Sequence, residues 1–184
     1  MALRWYTLAG EVGEPISQYM AGVICYYGMV GSVPDYEQAL GWFQKSAKNG
    51  NPNVYVCLGR MYFEGKGTVK NYNIALNWLK RASDEGESFS SFIIGQTYSF
   101  GGYCVDRDFD LTEIWFMKGA NNEDPNSICG MEVLYGIRGD SKRNRDKNFE
   151  WCTKAARYNF GIVLNTVTLH FLIVNARKVF VMTT

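Results

Sequence analysis

The chain has 184 residues, of which 47% are hydrophobic, so it is long and apolar enough to form a packed core and is not a disordered segment. Nineteen basic and eighteen acidic residues leave a formal net charge of +1. This balance excludes the strong positive field that attracts nucleic acid or an acidic membrane surface, and we expect neither as a partner.

The cysteines and the amino terminus indicate a cytoplasmic protein. Five cysteines are an odd number, and no two of them form a CxxC pair, so we expect free thiols and neither a metal site nor a disulfide framework. The first residues contain no continuous apolar segment followed by a small-residue cleavage site, and we therefore predict no signal peptide. The cysteines are Cys25, Cys57, Cys104, Cys129 and Cys152.

A repeat of 36 or 37 residues organises the chain. Successive tryptophans are separated by 37, 36, 37 and 36 residues, and they are all the tryptophans in the sequence. Such a period is typical of stacked helical repeats, in which each unit buries its apolar face against its neighbours. The tryptophans are Trp5, Trp42, Trp78, Trp115 and Trp151.

In chain order, the first predicted element is a single helix in residues 1–14, which we name helix B of a leading half-repeat. Complete pairs of a helix A and a helix B follow. They are repeat 1 at 15–51, repeat 2 at 52–87, repeat 3 at 88–124 and a degenerate repeat 4 at 125–160. Because no helix A precedes the first helix B, we expect that helix to be capped by another element or to expose an apolar face.

Helix B has the same pattern in successive repeats. In repeat 1 the stripe of an amphipathic helix is formed by Tyr36, Ala39, Leu40, Phe43 and Ala47. Asp35, with Gln38 three residues later, is predicted to cap the helix, as Asn71 and Asp108 do in the next repeats. Gly50 and Gly86 are predicted to end it. Ala39 and Ala75 should let helices approach closely while Trp42 and Trp78 fill the seam between them.

Helix A is marked by two glycines. An internal glycine in each helix, where glycine is unfavourable, indicates close contact with another helix. A second glycine six residues later is predicted to end the helix, and Tyr62 and Tyr98 lie midway between the two in repeats 2 and 3. The internal glycines are Gly22, Gly59, Gly95 and Gly130, and the terminal ones are Gly28, Gly65, Gly101 and Gly136.

Together these features resemble the Sel-one-like repeat (SLR) family, a relative of the tetratricopeptide repeat. Residues 58–86 carry the clearest version: LG, Tyr62, a GxG turn at Gly65, Ala75, Trp78 and a closing glycine. The resemblance weakens along the chain. In repeat 3, Thr112 replaces the alanine and Glu123 replaces the closing glycine. Repeat 4 keeps little beyond Cys129, Gly130, Gly136, Trp151 and KAA at 154–156.

The resemblance implies an all-α fold, an α-solenoid of antiparallel helix pairs. It also implies a non-catalytic adaptor or scaffold that binds a peptide or another protein, with no cofactor and no catalytic residues to transfer. If helix A lines a concave surface, as the resemblance implies, positions −3, +1 and +4 from its glycine share one face. The partner-binding candidates are then Tyr19, Val23, Tyr26, Val56, Arg60, Phe63, Phe92, Gln96 and Ser99. The alternative, that most of them pack against neighbouring helices, stays open.

Some segments fall outside the repeat pattern. The basic stretch RGDSKRNRDK at 138–147 is predicted to be a solvated loop, with contact to an acidic partner as the alternative. The turn around Lys66 lacks the GK[ST] ending of a phosphate-binding loop. The apolar tail at 161–184, which contains the single histidine His170, is predicted to form a helix that caps repeat 4. A strand, disorder or a membrane span are its alternatives.

Two other functions remain open at this point. One is a secreted, cysteine-containing repeat protein that hydrolyses a cell-wall or β-lactam substrate; such a protein needs cysteine pairs at fixed repeat positions, which this sequence lacks. The other is a truncated repeat-gene product without an independent role.

Overall fold

The computed structural model describes residues 2–28, 33–101, 105–139 and 141–157. These residues form α-helices joined by short connections, which confirms the predicted all-α solenoid class. The helices are α1 Ala2–Glu11, α2 Pro15–Tyr27, α3 Tyr36–Lys48, α4 Tyr55–Glu64, α5 Tyr72–Asp84, α6 Ser88–Phe100, α7 Phe109–Asn121, α8 Pro125–Ile137 and α9 Lys142–Ala156. A 3₁₀ turn, Pro52–Val54, precedes α4. The predictions for Cys104, His170 and 161–184 lie outside the described residues.

The helices alternate as predicted, with odd-numbered helices in the place of helix B and even-numbered helices in the place of helix A. They belong to two compact units, the first reaching Ser90 and including Val105, the second containing the other described residues from Ser91 onward. Within the first unit, α1 packs against α2, α2 against α3, and α4 against α5. Within the second unit, α7 packs against α8, and α8 against α9.

The predicted starts of helix B are confirmed. The Asp35 carboxylate accepts a hydrogen bond from the Gln38 N–H at 2.9 Å, and the Asn71 side chain accepts one from the Ile74 N–H at 3.0 Å. Asp108 caps α7 in the same way. A cap of this kind satisfies an N–H group that has no partner inside the helix and stabilises a helix by about 1 kcal/mol.

A second contact joins helix A to the start of helix B. The carbonyl of the residue three after the internal glycine accepts the N–H of the capping residue of helix B. These bonds run from Asp35 to Cys25 at 2.8 Å, from Asn71 to Tyr62 at 2.9 Å and from Asp108 to Tyr98 at 2.9 Å. The repeated bond attaches the start of each of these helices B to the same position on the preceding helix A.

The predicted close contact at the internal glycines is confirmed, and the structure shows its partner. In three repeats, a Cβ atom added to the internal glycine of helix A would lie within 3 Å of a side chain on helix B. That side chain belongs to the residue directly after the tryptophan. The pairs are Gly22 with Phe43 at 2.5 Å, Gly59 with Leu79 at 2.8 Å and Gly95 with Phe116 at 2.5 Å. A larger residue would push the helices apart, and the glycine is therefore a packing requirement.

The tryptophans pack beside this contact. Trp42 is buried, and a Cβ added to Gly10 on α1 would lie 3.1 Å from its ring, so it fills the seam between successive helices B as predicted. Trp78 is half-buried, with its ring 5.6 Å from that of Tyr55. In repeats 1 to 4 the base three residues after the tryptophan lies over the indole ring. These pairs are Lys45 at 4.4 Å, Arg81 at 4.9 Å, Lys118 at 5.2 Å and Lys154 at 4.1 Å.

Helix ends follow the glycines in most repeats. Gly50 and Gly86 have positive φ angles of 83° and 91°, just after α3 and α5, which confirms both predicted ends. In repeat 3 the same place is held by Glu123, which adopts a φ of 59°. Because a side chain crowds the backbone in this conformation, Glu123 is strained where the other repeats use glycine.

The predicted solvated loop at 138–147 is wrong for most of its length, because α9 begins at Lys142. The Ser141 hydroxyl accepts a hydrogen bond from the Asn144 N–H at 3.2 Å and caps the helix. The basic residues from Lys142 onward therefore form the first turns of helix B in repeat 4, instead of a long loop before it.

The predicted end of helix A at Gly136 is also wrong. The Arg138 N–H donates to the Leu134 carbonyl at 3.0 Å, and this bond carries α8 past Gly136 to Ile137. Gly139, with a φ of 93°, provides the left-handed residue that Gly28, Gly65 and Gly101 provide elsewhere.

Candidate functional site

The helices A are almost free of charged residues. Helices α2 and α6 contain none, α8 contains Glu132, and α4 contains Arg60 and Glu64. The helices B carry most of the charge. The candidate face on helix A is therefore apolar and aromatic, and its charges lie together on α4.

The three candidates on α2 are anchored in the first unit. Tyr19, Val23 and Tyr26 are half-buried and pack against the buried core of that unit. The Tyr19 ring centroid lies 6.0 Å from that of Phe43, and burial raises the pKa of the Tyr19 hydroxyl. These side chains thus contribute to packing and present only part of their surface.

The candidates on α4 are more accessible. Arg60 is exposed, and its guanidinium lies 3.7 Å from the Glu64 carboxylate one turn later. Val56 and Phe63 are half-buried, and the Phe63 ring meets Tyr72 edge-on at 5.0 Å. This face of α4 combines an available cation with apolar surface, as the spacing predicts.

Lys66 joins the two sets of candidates. Its ammonium group donates to the Tyr26 hydroxyl at 3.0 Å and pairs with the Glu64 carboxylate at 2.7 Å. It also lies 5.0 Å from the centroid of the Tyr26 ring and 5.3 Å from that of Tyr36. The hydrogen bonds to Glu64 and Tyr26 raise the pKa of Lys66, so it stays protonated. We name Tyr26, Arg60, Phe63, Glu64 and Lys66 the α4 surface cluster.

Sequence reasoning missed Glu64 and Lys66, because the first lies at the end of a helix and the second inside a glycine turn. The backbone of this turn lies very close to that of repeat 1: a Cβ atom added to Gly67 would be 2.2 Å from the Tyr36 carbonyl oxygen. The turn of repeat 2 therefore lies against the start of α3 in repeat 1, which brings Lys66 to Tyr26. The sequence does contain a signal for the contact between Lys66 and Tyr26. Lys66 lies between two turn glycines, and Tyr26 is an aromatic residue at the end of helix A in the preceding repeat.

Phe92 and Gln96 lie in the second unit. The Phe92 ring stacks on Phe116 at 5.8 Å between centroids, so Phe92 contributes to the core of that unit. Gln96 is exposed, and Ser99 is half-buried. The structure thus links Tyr26 to Arg60 through Lys66 and Glu64, and Phe63 lies on the same helix as Arg60. Phe92 and Gln96 belong to the second unit.

The cysteines in the described residues are free thiols. Burial raises the pKa of Cys25, Cys57, Cys129 and Cys152, to about 11 for the last two. A thiol with a raised pKa is protonated at neutral pH and is a poor nucleophile. In the same residues, no cluster of histidine, cysteine or carboxylate side chains has the arrangement of a metal site, and no helix is long and apolar enough to cross a membrane.

Repeated pairs of helices, joined by the same glycine contact and the same capping bond, define an α-solenoid repeat protein. A family model, the Sel1 repeat, matches residues 1–14, 15–51, 58–87, 90–124 and 129–157. The chain therefore belongs to the Sel1 repeat family, which confirms the resemblance in the sequence. Sel1 repeats are in general protein-interaction modules.

Two solved structures are similar to this chain. The first is c5321, a protective antigen of uropathogenic Escherichia coli strains with an SLR fold, at 26% identity and a TM-score of 0.74; the match covers 85% of this chain and 33% of that one. The second is a Sel1 repeat protein from Oxalobacter formigenes, at 23% identity and a TM-score of 0.68, with coverage of 85% and 63%. The chain thus spans less than two thirds of either relative. No curated protein matches it.

Proposed function

We propose that this protein is a non-catalytic interaction module that binds a peptide or protein segment on the helix A face of its first unit. The family supports an interaction role in general, and the candidate face supports the location. Apart from Arg60 and Glu64, helices α2 and α4 are uncharged, and aromatic side chains occur along both. Aromatic residues and arginine are the side chains that most often dominate binding energy.

The α4 surface cluster is the observation that carries this proposal. Two cations, Arg60 and Lys66, share the single carboxylate of Glu64, so the cluster has an excess of positive charge beside the Tyr26 ring. A partner with an acidic group next to an apolar side chain would complement it. The carboxylate could pair with Arg60 while the apolar group covers Phe63 and Val56.

Affinity purification followed by mass spectrometry, with the full chain as bait, tests the proposal. We expect the substitution Arg60→Glu to lower recovery of specific partners by about tenfold or more, which corresponds to about 1.4 kcal/mol of binding free energy. A triple variant in which Tyr26, Arg60 and Phe63 become alanine should remove them. Arg60 is exposed, so the single variant should keep its helicity by circular dichroism.

Lys48→Glu on α3 provides the matched control, because Lys48 is an exposed cation on helix B of the same unit. It should retain the partners. Equal recovery by the wild-type, Arg60→Glu and triple-variant chains, each with intact helicity, would show that the helix A face is not the binding surface.

A further inference from the structure

Gly41 is a glycine inside a helix for which packing gives no reason. It lies in the interior of α3, where proline is the only residue less favourable than glycine. The internal glycines of the helices A each face a side chain at close range, but a Cβ atom added to Gly41 would meet no atom of the described residues within 4 Å. The residues at the same position in repeats 2, 3 and 4, directly before the tryptophan, are Asn77, Ile114 and Glu150. Repeat 1 therefore leaves a space where the other repeats carry a side chain.

An open cavity of about 330 Å³ lies at this position, between α1 and α3. Trp42 packs against Gly10 of α1, and Thr7, three residues before Gly10, lies on the same face of that helix. The cavity is thus formed by the two helix faces that are turned toward each other within the first unit. The described residues that line it are Thr7 on α1 and Gln38, Gly41, Trp42 and Lys45 on α3.

The lining side chains offer hydrogen-bond donors and one positive charge. The Lys45 ammonium group is exposed, lies 4.4 Å from the centroid of the Trp42 ring and forms no ion pair with another described residue. The Gln38 carbonyl oxygen accepts a hydrogen bond from the Cys25 thiol at 3.2 Å, which leaves the N–H groups of its amide available as donors. Thr7 adds a hydroxyl. None of the described lining residues is acidic, so the cavity is suited to an anionic group.

The remaining part of the lining favours a flat apolar group. The Trp42 indole offers an aromatic surface, and aromatic rings gain from stacked or edge-on contact with one another. Because Gly41 carries no side chain, a ring can approach the backbone of α3 closely. An aromatic group next to the anion would therefore find a matching surface in the same cavity.

We propose that this cavity binds a carboxylate attached to an aromatic group. The carboxylate pairs with the Lys45 ammonium group and accepts hydrogen bonds from Gln38 and Thr7, while the aromatic ring lies against Trp42 and Gly41. The volume of about 330 Å³ is near the lower end of the range for ligand cavities in proteins, about 300–1,000 Å³. The carboxylate therefore belongs either to a free aromatic acid or to the carboxyl-terminal residue of a peptide.

This site is separate from the one that carries the proposed function. The cavity lies between two helices B, whereas the α4 surface cluster lies on helix A and in the turn that follows it. Substitutions in the cavity should therefore leave partner recovery through Arg60 unchanged, and Arg60→Glu should leave the cavity intact. The failure of one proposal is distinguishable from the failure of the other.

Nuclear magnetic resonance of the full, isotope-labelled chain tests the proposal with phenylacetate as the probe. Each of the five tryptophans gives one indole N–H signal, and the substitution Trp42→Phe identifies the signal of Trp42. We expect phenylacetate to shift this signal in a saturable way, with a dissociation constant below about 1 mM. Phenylacetamide has the same ring but no charge, and it should bind at least about tenfold more weakly.

Gly41→Leu places a side chain in the open space and should abolish the saturable shift. The melting temperature of this variant should rise, because leucine favours a helix more than glycine does. Asn77→Leu is the matched control, since Asn77 is exposed at the same position of repeat 2; it should bind phenylacetate as the wild type does. A chain that is more stable but no longer binds separates the loss of the site from a loss of folding.

Lys45→Gln removes the charge of the site and keeps a side chain over the indole. It should weaken phenylacetate binding by about tenfold or more, because the carboxylate loses its charged partner. Lys48→Gln is the control, since Lys48 is an exposed cation at the end of the same helix and does not line the cavity.

A peptide that ends in phenylalanine, with a free or an amidated carboxyl terminus, identifies the source of the carboxylate. Tighter binding of the free-carboxylate peptide than of phenylacetate supports a protein terminus, and equal or weaker binding supports a free acid. The amidated peptide should not bind. The proposal would be overturned by the absence of a saturable shift with both carboxylates, by equal binding of phenylacetamide and phenylacetate, or by a Gly41→Leu chain that binds as the wild type does.

Discussion

Repeats 2 and 4 form the same pair of helices from very different sequences. In repeat 2, Gly59 on helix A accommodates Leu79, the residue after Trp78 on helix B. In repeat 4 the residue after the tryptophan is Cys152, and Gly130 instead accommodates Phe116 from repeat 3, at 2.8 Å from the position of an added Cβ. Phe116 of repeat 3 therefore packs against the internal glycines of two repeats, Gly95 and Gly130.

Polar contacts hold repeat 4 where the apolar signature is lost. Glu113 on α7 accepts hydrogen bonds from Arg138 at 2.5 Å, from Lys147 at 3.1 Å and from the hydroxyl of Tyr135. Lys147 also donates to the Tyr135 hydroxyl at 2.6 Å. The basic stretch that the sequence predicts to be solvated thus attaches helix B to the preceding repeat. Polar contacts therefore join repeats 3 and 4 in addition to the apolar cluster that contains Phe116, Met131 and Trp151.

The largest expected effect comes from Phe116→Ala. Removal of a buried phenylalanine costs about 3–5 kcal/mol in the free energy of unfolding, because a cavity remains. The cavity would border Gly95 and Gly130, so hydrogen exchange should become faster in both α6 and α8. Leu79→Ala is the matched variant in repeat 2; it should cost about 2–5 kcal/mol and loosen α4. Unchanged exchange in α8 of the Phe116→Ala chain would show that Phe116 does not join the two repeats.

A smaller effect, a loss of about 1–3 kcal/mol in the free energy of unfolding, is expected from Glu113→Gln. The buried Tyr135 hydroxyl and the partly exposed Arg138 and Lys147 would lose a charged acceptor. Burial acts to raise the pKa of Glu113, but hydrogen bonds from Tyr135 and Lys147, with the charges of Lys147 and Arg138, outweigh it and lower the pKa below its ordinary 4.5. A lowered pKa stabilises the folded state above the unfolded pKa.

The stability difference between the wild type and Glu113→Gln should therefore be complete above about pH 5 and shrink as the pH falls through the lowered pKa. Urea denaturation between pH 7 and pH 3 measures it. Glu85→Gln, an exposed carboxylate at the end of α5, is the control and should change stability by less than about 0.5 kcal/mol. A difference that stays constant down to pH 3 would contradict the role of the ionised carboxylate.

The smallest effect concerns the helix ends of repeats 2 and 3. Glu123→Gly should stabilise the chain by about 1 kcal/mol, because glycine removes the strain of a side chain at positive φ. Gly86→Glu, at the same place in repeat 2, should destabilise it by a similar amount. No atom lies within 4 Å of an added Cβ at Gly86, so the change reports backbone strain and not a clash. Thermal denaturation of the two variants and their combination measures both; effects of the same sign would contradict this explanation.

The candidate site was only partly predictable from the sequence. Helical spacing predicts that Arg60 and Phe63 share one face of α4, because side chains three residues apart lie on the same side of a helix. It did not indicate that Tyr19 and Phe92 pack into the cores, or that Lys66 reaches Tyr26 from the turn of the next repeat. Those facts depend on residues far apart in the chain, such as the 40 positions between Tyr26 and Lys66.

The sequence by itself determined the repeat period, the alternation of helices and the capping residues Asp35, Asn71 and Asp108, because each of these depends on interactions among residues a few positions apart. Only the tertiary structure decided which side chain packs against each internal glycine, that Phe116 packs against two of them, and that residues 142–147 are helical. Packing and ion pairs between helices act over long sequence separations, so a local pattern does not specify them.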